Sequence, residues 1–429
     1  MEVGRLGEPM NAFRYHKGKL YCEGVPLSRL AGDFGTPLYV YSQRHITGRY
    51  DGLHKALRGI DHLICFAVKA NSNLGVLRAL AQAGTGFDIV SGGELYRVVQ
   101  AGGDPGRCVF SGVGKTREEI EYALKLGIYI INVESEPELR RISQVARRMG
   151  RRAPIAVRVN PGVDPDTHDY ISTGKHESKF GISLRDALSV YREAAGMDGI
   201  EIRGVQMHIG SQITKTAPFV LAIRKITPLI ERVRQIAPRT LQSFDMGGGL
   251  GIRYRTEHPP TAAGFARAVM PHVRALGLRI LLEPGRFIVG NGGVLVTRVV
   301  HVKQTPVKRF VIVDAAMNDL IRPSLYGSYH EIIPLMAGDA RRKITADVVG
   351  PVCESGDFLA QGRRLAAVEE GALLAVMSAG AYGMAMASNY NARPRPAEVL
   401  VNGSRCELAR RRESVKDLVS GETIPTWLV

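Results

Sequence analysis

The sequence predicts an α/β protein, in which a (β/α)8 TIM-type barrel is joined to a mainly β C-terminal domain that also takes in the N-terminal segment. Two observations favour this architecture. Eight short apolar, β-branched runs alternate with helix-like stretches over roughly 220 residues, which matches such a barrel in size and alternation. After Gly285 the helical patterns mostly disappear, which indicates a separate β domain. A doubly wound open sheet is the alternative, although it would usually have fewer strands.

The eight predicted barrel strands follow one another at regular intervals. They are HLICFAV (62–68), GFDIV (86–90), CVFSG (108–112), IYIINV (128–133), PIAVRVNP (154–161), IRGVQMHIG (202–210), LQSFDMGGG (241–249) and LRILLEPG (278–285). Segments between them carry apolar residues at i, i+3 and i+4, often with a closing glycine, which is typical of amphipathic helices. Examples are residues 74–84, 93–102, 116–127 and 135–150.

The remaining runs predict the β domain. They are VLVTRVVHVKQ (294–304), KRFVIVDAA (308–316), DVVGPV (347–352), LLAVMSAG (373–380) and AEVLVNG (397–403), joined by short polar or Gly-rich segments. YCEGVPL (21–27) and PLYVYS (37–42) also have β character and are expected to pair with them. We therefore assign residues 1–40 to an N-terminal β segment, 41–290 to the barrel and 291–429 to a β domain, either a barrel or a sandwich.

Composition excludes several classes of protein. Hydrophobic content is 45% and charged content 23% over 429 residues, as in a soluble globular chain. No apolar run approaches the ~20 residues of a membrane-spanning helix, and the N-terminus lacks the apolar core of a secretory signal. The five cysteines are scattered and never in CxxC spacing, so neither a disulfide framework nor a metal site is expected. A reducing cytoplasm is the predicted location.

The formal net charge is +16, with short arginine clusters within 147–152 and 410–412. No nucleic-acid-binding motif or interleaved aromatic residues accompany these clusters, so solvated helix faces explain them better. Neither a nucleic acid nor a membrane is an expected partner. The positive field would help to attract an anionic substrate or a phosphate-bearing cofactor.

Polar or glycine residues end the predicted barrel strands. In barrels of this type the carboxyl ends of the strands meet at one face, where functional residues lie. We therefore expect the following residues to converge there: Lys69, Asp88, Ser91, Ser111, Asn132, Arg158, Asn160, His208, Ser211, Gly247, Gly248, Gly249, Glu283 and Arg286.

Four of these features match the requirements of pyridoxal 5'-phosphate (PLP). Lys69 supplies an amine for the aldehyde, Gly247–Gly249 supply amides for the phosphate, and His208 supplies a plane to stack on the ring. Glu283 supplies a carboxylate that keeps the pyridine nitrogen protonated, so that the ring accepts an electron pair from a Cα carbanion. Each feature alone has an ordinary structural explanation, such as a solvated lysine, a turn or a hydrogen-bonded core histidine.

Seven motifs are similar to those of a known family. They are FAVKANSN (66–73), GFDIVSGGEL (86–95), HIGSQI (208–213), DMGGGLGI (245–252), EPGR (283–286), CESGD (353–357) and GAYG (380–383). Together they resemble the fold-type III PLP-dependent decarboxylases and, within them, the branch that acts on diaminopimelate. Two further segments, 168–182 and 321–332, resemble the same branch. The similarity runs in matching order from about residue 35 to 405.

The resemblance implies specific roles at the cofactor. Lys69 would bind PLP covalently, His208 would stack on its ring, and Cys353 would protonate Cα after carbon dioxide leaves. The implied cofactor-binding residues are Lys69, Asp88, His208, Ser211, Gly247, Gly248, Gly249, Glu283, Pro284, Gly285, Arg286 and Tyr382. The distal end of the substrate would be bound by Arg286, Arg322, Tyr326, Glu354 and Tyr382.

The implied reaction is the conversion of meso-2,6-diaminopimelate to L-lysine and carbon dioxide, the last step of lysine biosynthesis. The resemblance also implies a homodimer, in which the CESGD segment reaches into the active site of the partner subunit. Arg286 and Arg322 suit the distal carboxylate of this substrate, and Glu354 suits its ammonium group.

Three alternatives remain open. A decarboxylase of ornithine, lysine or arginine would need acidic residues, and no arginine, for a bare terminal amine. An amino acid racemase needs a base on each face of the substrate and gains little from Glu283. A non-catalytic PLP-binding protein would resemble the barrel alone, without the β domain that carries Cys353 and Tyr382.

Overall fold

The computed structural model describes residues 12–164, 179–337 and 342–428. Up to residue 289, its helices and strands are β1 (Phe13–His16), β2 (Lys19–Cys22), β3 (Val25–Pro26), α1 (Leu27–Phe34), β4 (Leu38–Ser42), α2 (Gln43–Ala56), β5 (His62–Ala67), α3 (Leu74–Ala83), β6 (Gly86–Ile89), α4 (Gly92–Gln100), β7 (Cys108–Phe110), α5 (Arg117–Leu126), β8 (Ile130–Val133), α6 (Glu136–Arg148), β9 (Ala153–Asn160), β10 (Ile182–Ser183), α7 (Ala187–Ala195), β11 (Ile200–Met207), α8 (Ala217–Ile236), β12 (Ser243–Asp245), α9 (Ala262–Val273), β13 (Arg279–Leu282) and α10 (Arg286–Val289). Beyond it they are β14 (Gly293–Gln304), β15 (Arg309–Val313), α11 (Arg322–Tyr326), β16 (Ile332–Pro334), β17 (Lys343–Val349), β18 (Phe358–Ala366), β19 (Leu373–Val376), β20 (Ala397–Asn402), β21 (Arg405–Arg410) and α12 (Val415–Leu418).

Eight parallel strands close into a barrel within the compact unit Ile46–Ile288. Their order is β5, β6, β7, β8, β9, β11, β12 and β13, and the ring closes where β13 pairs with β5, with Ile280 opposite His62. The short strand β10 pairs with β9 outside the ring. The predicted (β/α)8 barrel is therefore confirmed. Buried apolar side chains from several of its strands pack together, including Cys65, Val109 and Leu281.

Local capping explains where several barrel helices begin and end. The Asn73 side chain accepts hydrogen bonds from the amides at the start of α3. Thr116 and Glu119 form a capping box at the start of α5. Gly84 and Gly127 end α3 and α5 with φ values of 89° and 73°, a left-handed conformation that favours glycine.

The structure differs from the sequence prediction at the end of the first barrel strand. The strand β5 ends at Ala67, and Lys69 lies in a 3-10 turn over Val68–Ala70 that the apolar run did not indicate. The last strand amide, that of Ala67, donates to the carbonyl of Pro284. Lys69 therefore follows the carboxyl end of the strand, at the face of the barrel where functional residues are expected.

The second compact unit combines the described residues up to His45 with those from Val289 onward. Its main sheet has the order β18-β17-β15-β14-β4-β20-β21, and β19 pairs with both β14 and β16. The N-terminal strand β4 is antiparallel to β14 and parallel to β20. The prediction that the N-terminal segment joins a mainly β domain is confirmed. The core of this unit contains Leu30, Val40, Val296 and Val399.

Three further properties concern the described residues only. None of their helices combines the length and the apolar character that crossing a membrane requires. They contain no group of three or more His, Cys, Asp or Glu side chains arranged to hold a metal ion. Cys22, Cys65 and Cys108 are buried, Cys406 is partly buried, and Cys353 is exposed. Most of the 168–182 motif lies outside the described residues.

Candidate active site

Lys69 and Asp88 form an ion pair at the carboxyl ends of β5 and β6. The Lys69 Nζ atom donates to Asp88 Oδ2 at 2.6 Å. The Asp88 side chain is fully buried, whereas 39% of the Lys69 side chain is exposed, so the amine remains accessible. The second oxygen of Asp88, Oδ1, is buried and has no protein partner. The pair thus places a reactive amine beside a carboxylate at this face of the barrel.

Glu283 follows β13 and is held by polar side chains from three other strands or strand ends. Its Oε1 atom accepts from Ser111 Oγ at 3.3 Å and from Asn132 Nδ2 at 3.2 Å. Its Oε2 atom accepts from Gln206 Nε2 at 3.4 Å. These contacts fix the orientation of a carboxyl group that is almost fully buried.

The electrostatics around Glu283 favour a protonated carboxyl group. Burial raises the pKa of Glu283 well above its usual value, and the neighbouring acids Asp245 and Asp88 raise it further, while Lys69 opposes them. Burial also raises the pKa of Asp245 to about 6, and a hydrogen bond from Glu283 opposes that rise. Because two buried carboxylates so close together cannot both be charged at low cost, the pair holds a proton. Such a site suits a nitrogen that needs a proton or a counter-charge.

His208 is neutral at ordinary pH. Burial lowers the pKa of its imidazole far below the usual value, and the cations Arg158 and Lys69 lower it further. The Nδ1 atom accepts a hydrogen bond from the Gly248 amide at 3.2 Å, which leaves the proton on Nε2. An uncharged planar ring in a fixed orientation suits stacking on another flat ring.

The glycine run after β12 allows three chain segments to approach closely. A Cβ atom on Gly247 would lie 2.4 Å from the Met207 carbonyl oxygen, and one on Gly248 would lie 2.3 Å from that of Glu283. Gly247 also has a φ of 70°. The amide of Gly247 donates to Asp245 Oδ1 at 2.8 Å, so two of the three amides expected to bind phosphate already have partners within the protein.

The EPGR turn packs against the turn that carries Lys69. A Cβ atom on Gly285 would lie 2.9 Å from the Cβ of Ala70, which explains the glycine. The guanidinium of Arg286 is nearly buried, and its Nη1 atom donates to Tyr254 Oη at 2.6 Å. Ser211 is partly buried in the loop after β11.

Three other residues expected at the barrel mouth have local structural partners. The Ser91 side chain caps α4 by accepting from the Glu94 amide at 3.2 Å. Arg158 donates to Glu134 at 2.8 Å, and Asn160 accepts from the Gly162 amide at 2.9 Å.

The β unit holds the predicted substrate-binding residue Arg322 in a fixed position. Arg322 begins α11 and is 5% exposed. Its Nη1 atom donates to His330 Nε2 at 2.8 Å, and its Nη2 atom donates to Ser328 Oγ at 3.2 Å. His330 Nδ1 lies 2.8 Å from the Met377 carbonyl oxygen and carries the ring proton. Tyr326 ends the same helix and is partly buried.

Cys353 and Glu354 are exposed on the same unit. The amide of Cys353 donates to Asn391 Oδ1 at 2.7 Å. The Asp357 carboxylate accepts from the Val352 amide at 2.7 Å, which folds the CESGD segment on itself. Tyr382 is partly buried and has a φ of 56°, an uncommon conformation for a residue with a side chain.

Sequence reasoning missed three residues that the structure connects to this site. Gln206 lies inside β11, Asp245 ends β12 within the DMGGG motif, and Lys115 is completely buried just before α5. The only signal for Gln206 and Asp245 was a polar residue within an otherwise apolar run. Lys115 gave no local signal, because lysine before a helix is ordinarily exposed.

A parallel barrel with an accessible lysine, a neutral histidine, a glycine run and a buried glutamate at one face matches what a pyridoxal-dependent enzyme requires. The model of the family "Pyridoxal-dependent decarboxylase, pyridoxal binding domain" matches residues 43–290. The chain belongs to the diaminopimelate decarboxylase family of these pyridoxal-dependent decarboxylases. The predicted family resemblance and the predicted cofactor, PLP, are therefore confirmed.

Similarity to individual members is high over nearly the whole chain. Diaminopimelate decarboxylase of Pseudomonas aeruginosa is 53% identical over 97% of this chain and 99% of the relative. The crystal structure of diaminopimelate decarboxylase from M. jannaschi is 36% identical with a TM-score of 0.92, covering 97% of this chain and 99% of that one. The Helicobacter pylori enzyme in complex with L-lysine is 40% identical with a TM-score of 0.88, covering 92% and 98%.

Proposed function

We propose that this protein decarboxylates meso-2,6-diaminopimelate to L-lysine and carbon dioxide, with PLP bound at the carboxyl ends of the barrel strands. The observation that carries the proposal is the pairing of an accessible Lys69 amine with a buried Glu283 carboxyl at one face of the barrel. Relatives with the activity in their names are about half identical to this chain, and three related structures are complexes with L-lysine.

Bound PLP supplies an aldehyde for amino groups and a ring that accepts the electron pair released with carbon dioxide. Lys69 supplies the amine for covalent attachment, and Asp88 holds that amine and can accept its proton over 2.6 Å. Glu283 holds a proton at the pyridine nitrogen, and Ser111, Asn132 and Gln206 orient it. His208 covers one face of the ring without adding charge.

The phosphate end of the cofactor is assigned to the loops after β11 and β12 and to the turn at the start of α10. Ser211 and Gly249 offer a hydroxyl and an amide, and Gly285 leaves room for a close backbone approach. Tyr382 of the β unit supplies a further hydroxyl. The amides of Gly247 and Gly248 shape the loop through Asp245 and His208.

The distal end of diaminopimelate carries both a carboxylate and an ammonium group. Arg286 and Arg322 can each form paired hydrogen bonds to the carboxylate, and Glu354 can bind the ammonium. Arg322 needs little rearrangement, since His330 and Ser328 already fix its guanidinium. Tyr326 and Tyr382 complete this end of the site, and Cys353 delivers the proton to Cα.

We further propose a homodimer in the cytoplasm, with active sites shared between subunits. Cys353 and Glu354 are exposed in the single chain, as residues that act in the partner's site would be. A thiol that must donate a proton also needs a reducing compartment to stay free.

The first test is turnover by the purified protein with PLP, following carbon dioxide and lysine released from meso-diaminopimelate. Ornithine, lysine and arginine serve as parallel substrates. We expect product from diaminopimelate alone, because only its distal end satisfies both arginines. Turnover of a substrate with a bare terminal amine would contradict the roles of Arg286, Arg322 and Glu354 while leaving the cofactor chemistry in place.

A Lys69→Ala variant tests the attachment of the cofactor in the same assay. We expect turnover to fall by at least about a thousandfold and the visible absorption of covalently bound PLP to be lost. Lys55→Ala, which removes an exposed lysine from α2, is the matched control and should behave as the wild type. Retained turnover in Lys69→Ala would refute the proposed mechanism.

A further inference from the structure

Lys115 is a buried cation that none of the roles above uses. Its side chain is 0% exposed, although it lies directly before the N-cap of α5, at Thr116. The Nζ atom donates to the Gly112 carbonyl oxygen at 2.7 Å, to the Asn132 carbonyl oxygen at 2.6 Å and to Glu138 Oε1 at 3.0 Å. All three protons of the ammonium therefore have an acceptor.

The two carbonyl groups belong to the strand ends that hold Glu283. Gly112 directly follows Ser111 after β7, and Asn132 lies in β8. The Asn132 side chain also donates to Ser111 Oγ at 3.0 Å, so the two Glu283 partners are connected to each other. Lys115 therefore links the backbone of one strand end to that of the other through these two hydrogen bonds.

The counter-charge of Lys115 is itself fixed in place. Glu138 Oε2 accepts from the Glu134 amide at 2.6 Å, and Glu134 accepts from Arg158 at 2.8 Å. Burial lowers the pKa of Lys115, while Glu138 and then Glu134 oppose that change and Arg158 adds to it. A buried ion pair costs several kcal/mol in lost hydration, and an apolar side chain of similar size would avoid that cost. The apolar side chain would, however, remove the Lys115 donor from both carbonyl groups.

We propose that Lys115 is a positioning residue for the reaction, whose ammonium holds the backbone at Gly112 and Asn132 so that Ser111 and Asn132 keep the Glu283 carboxyl at the pyridine nitrogen. This inference rests on the proposed function, since it concerns the group that Glu283 serves. It predicts that loss of the ammonium changes the protonation of the cofactor ring as well as the rate.

The test uses the holoenzyme and the variant pair Lys115→Met with Glu138→Gln, which avoids a lone buried carboxylate. Glu138→Gln alone is the matched control, because it removes the ion pair but leaves both carbonyl bonds of Lys115. Lys125→Met, an exposed lysine of α5, controls for loss of a positive charge. Two quantities are measured: the pH midpoint of the visible absorption band of bound PLP, and kcat and KM for meso-diaminopimelate.

We expect the double variant to lower kcat by about 10- to 100-fold, with KM changed by less than about threefold. If the Glu283 carboxyl is displaced, the pyridine nitrogen of bound PLP is less protonated, and the nitrogen joined to Lys69 becomes more basic. The pH midpoint of the absorption band should therefore rise by about 0.5 to 1 pH unit. Glu138→Gln alone should show at most a small part of either change. A double variant with the absorption midpoint and kcat of Glu138→Gln would overturn the proposal.

Two further variants test whether Lys115 acts through the side chains that hold Glu283. In a background that combines Ser111→Ala with Asn132→Ala, removing Lys115 should have little additional effect on the midpoint, since both side chains that connect it to Glu283 are gone. If the double variant does not fold, Lys115→Gln combined with Glu138→Gln replaces it. The shorter amide at position 115 cannot reach both carbonyl groups, so this pair should show a smaller shift in the same direction, and no shift would overturn the proposal. If the wild-type protein shows no PLP band or no turnover, the proposed function fails independently of Lys115.

Discussion

Individual carboxyl groups in this protein respond to burial in a way that makes stability depend on pH. In the β unit, burial raises the pKa of Asp319 to about 7, although the Ala316 amide and Arg393 oppose the rise. Asp319 Oδ2 accepts from that amide at 2.9 Å, and Oδ1 accepts from Asn318 Nδ2 at 3.1 Å. Because the folded pKa exceeds the unfolded value of about 3.9, folding favours the protonated form.

The Asp319→Asn variant tests this dependence. In the wild type, the contribution of Asp319 to the free energy of unfolding is fully present below about pH 4 and is lost as the pH rises through about 7. The free energy of unfolding changes by about 2–4 kcal/mol over this range. Asparagine does not titrate, so the variant should lose less stability between pH 5 and pH 8. Denaturant unfolding at both pH values measures the difference. Asp33→Asn changes an exposed residue of α1 and should show the same loss of unfolding free energy between pH 5 and pH 8 as the wild type. If Asp319→Asn loses as much unfolding free energy between pH 5 and pH 8 as the wild type, the raised pKa of Asp319 is contradicted.

The sequence could indicate a site residue only where its side chain lies near the end of an apolar run. Lys69, His208 and Glu283 each lie near or just beyond the carboxyl end of such a run, so the sequence indicated all three. Gln206 lies inside one, and its partner Glu283 is 77 residues further along the chain. The bond from Asn132 to Glu283 spans 151 residues. Contacts of this range follow from barrel closure and leave no local pattern in the sequence.

Among the elements, the glycine run after β12 controls how closely β11, β12 and β13 meet. The Gly248→Ala variant tests this, because its Cβ atom would lie 2.3 Å from the Glu283 carbonyl oxygen. We expect a loss of stability of about 2 kcal/mol or more, together with weaker PLP binding, since the backbone that carries Glu283 must move.

Thermal unfolding of the holoenzyme and titration of the cofactor-free protein with PLP measure the two effects. Gly48→Ala in the exposed part of α2 is the matched control, because its Cβ atom would meet nothing within 4 Å. That change should stabilise the protein by about 0.5–1 kcal/mol. Unaltered PLP affinity in Gly248→Ala would show that the cofactor site tolerates the displacement.

Strands and helices were predicted well where hydrophobic periodicity extends over several residues. The helix expected over 74–84 occurs as Leu74–Ala83. The run 128–133, in contrast, contains a strand only over Ile130–Val133, because an apolar residue can be buried without joining the hydrogen-bonded sheet. The two-residue strand β10 had no periodicity to indicate it.

At the scale of the whole molecule, the net charge of +16 predicts electrostatic attraction of anions. PLP carries a doubly charged phosphate, whereas diaminopimelate has two positive and two negative groups and no net charge near pH 7. Raising NaCl from about 50 to about 500 mM should therefore slow PLP association with the cofactor-free protein by about 3- to 10-fold.

Stopped-flow absorbance measures this association rate, and pyridoxal without its phosphate serves as the control ligand. The value of kcat/KM for diaminopimelate should depend much less on salt. Equal salt dependence for PLP and pyridoxal would show that the positive charge does not attract the phosphate and is dispersed over surfaces remote from the entrance.

The central position of β4 has a consequence for how the protein is made. This strand is completely buried and lies between β14 and β20, which the ribosome adds only after about 250 further residues. At synthesis rates of about 5–20 residues/s, LYVYS therefore waits roughly 12–50 s for the first strand that pairs with it, and every strand of the barrel is completed before β14 or β20 exists. The barrel is free to assemble during translation, but the main sheet of the β unit must wait until β14 and β20 have been made. During that interval the apolar strand β4 has neither of the strands that pair with its two edges.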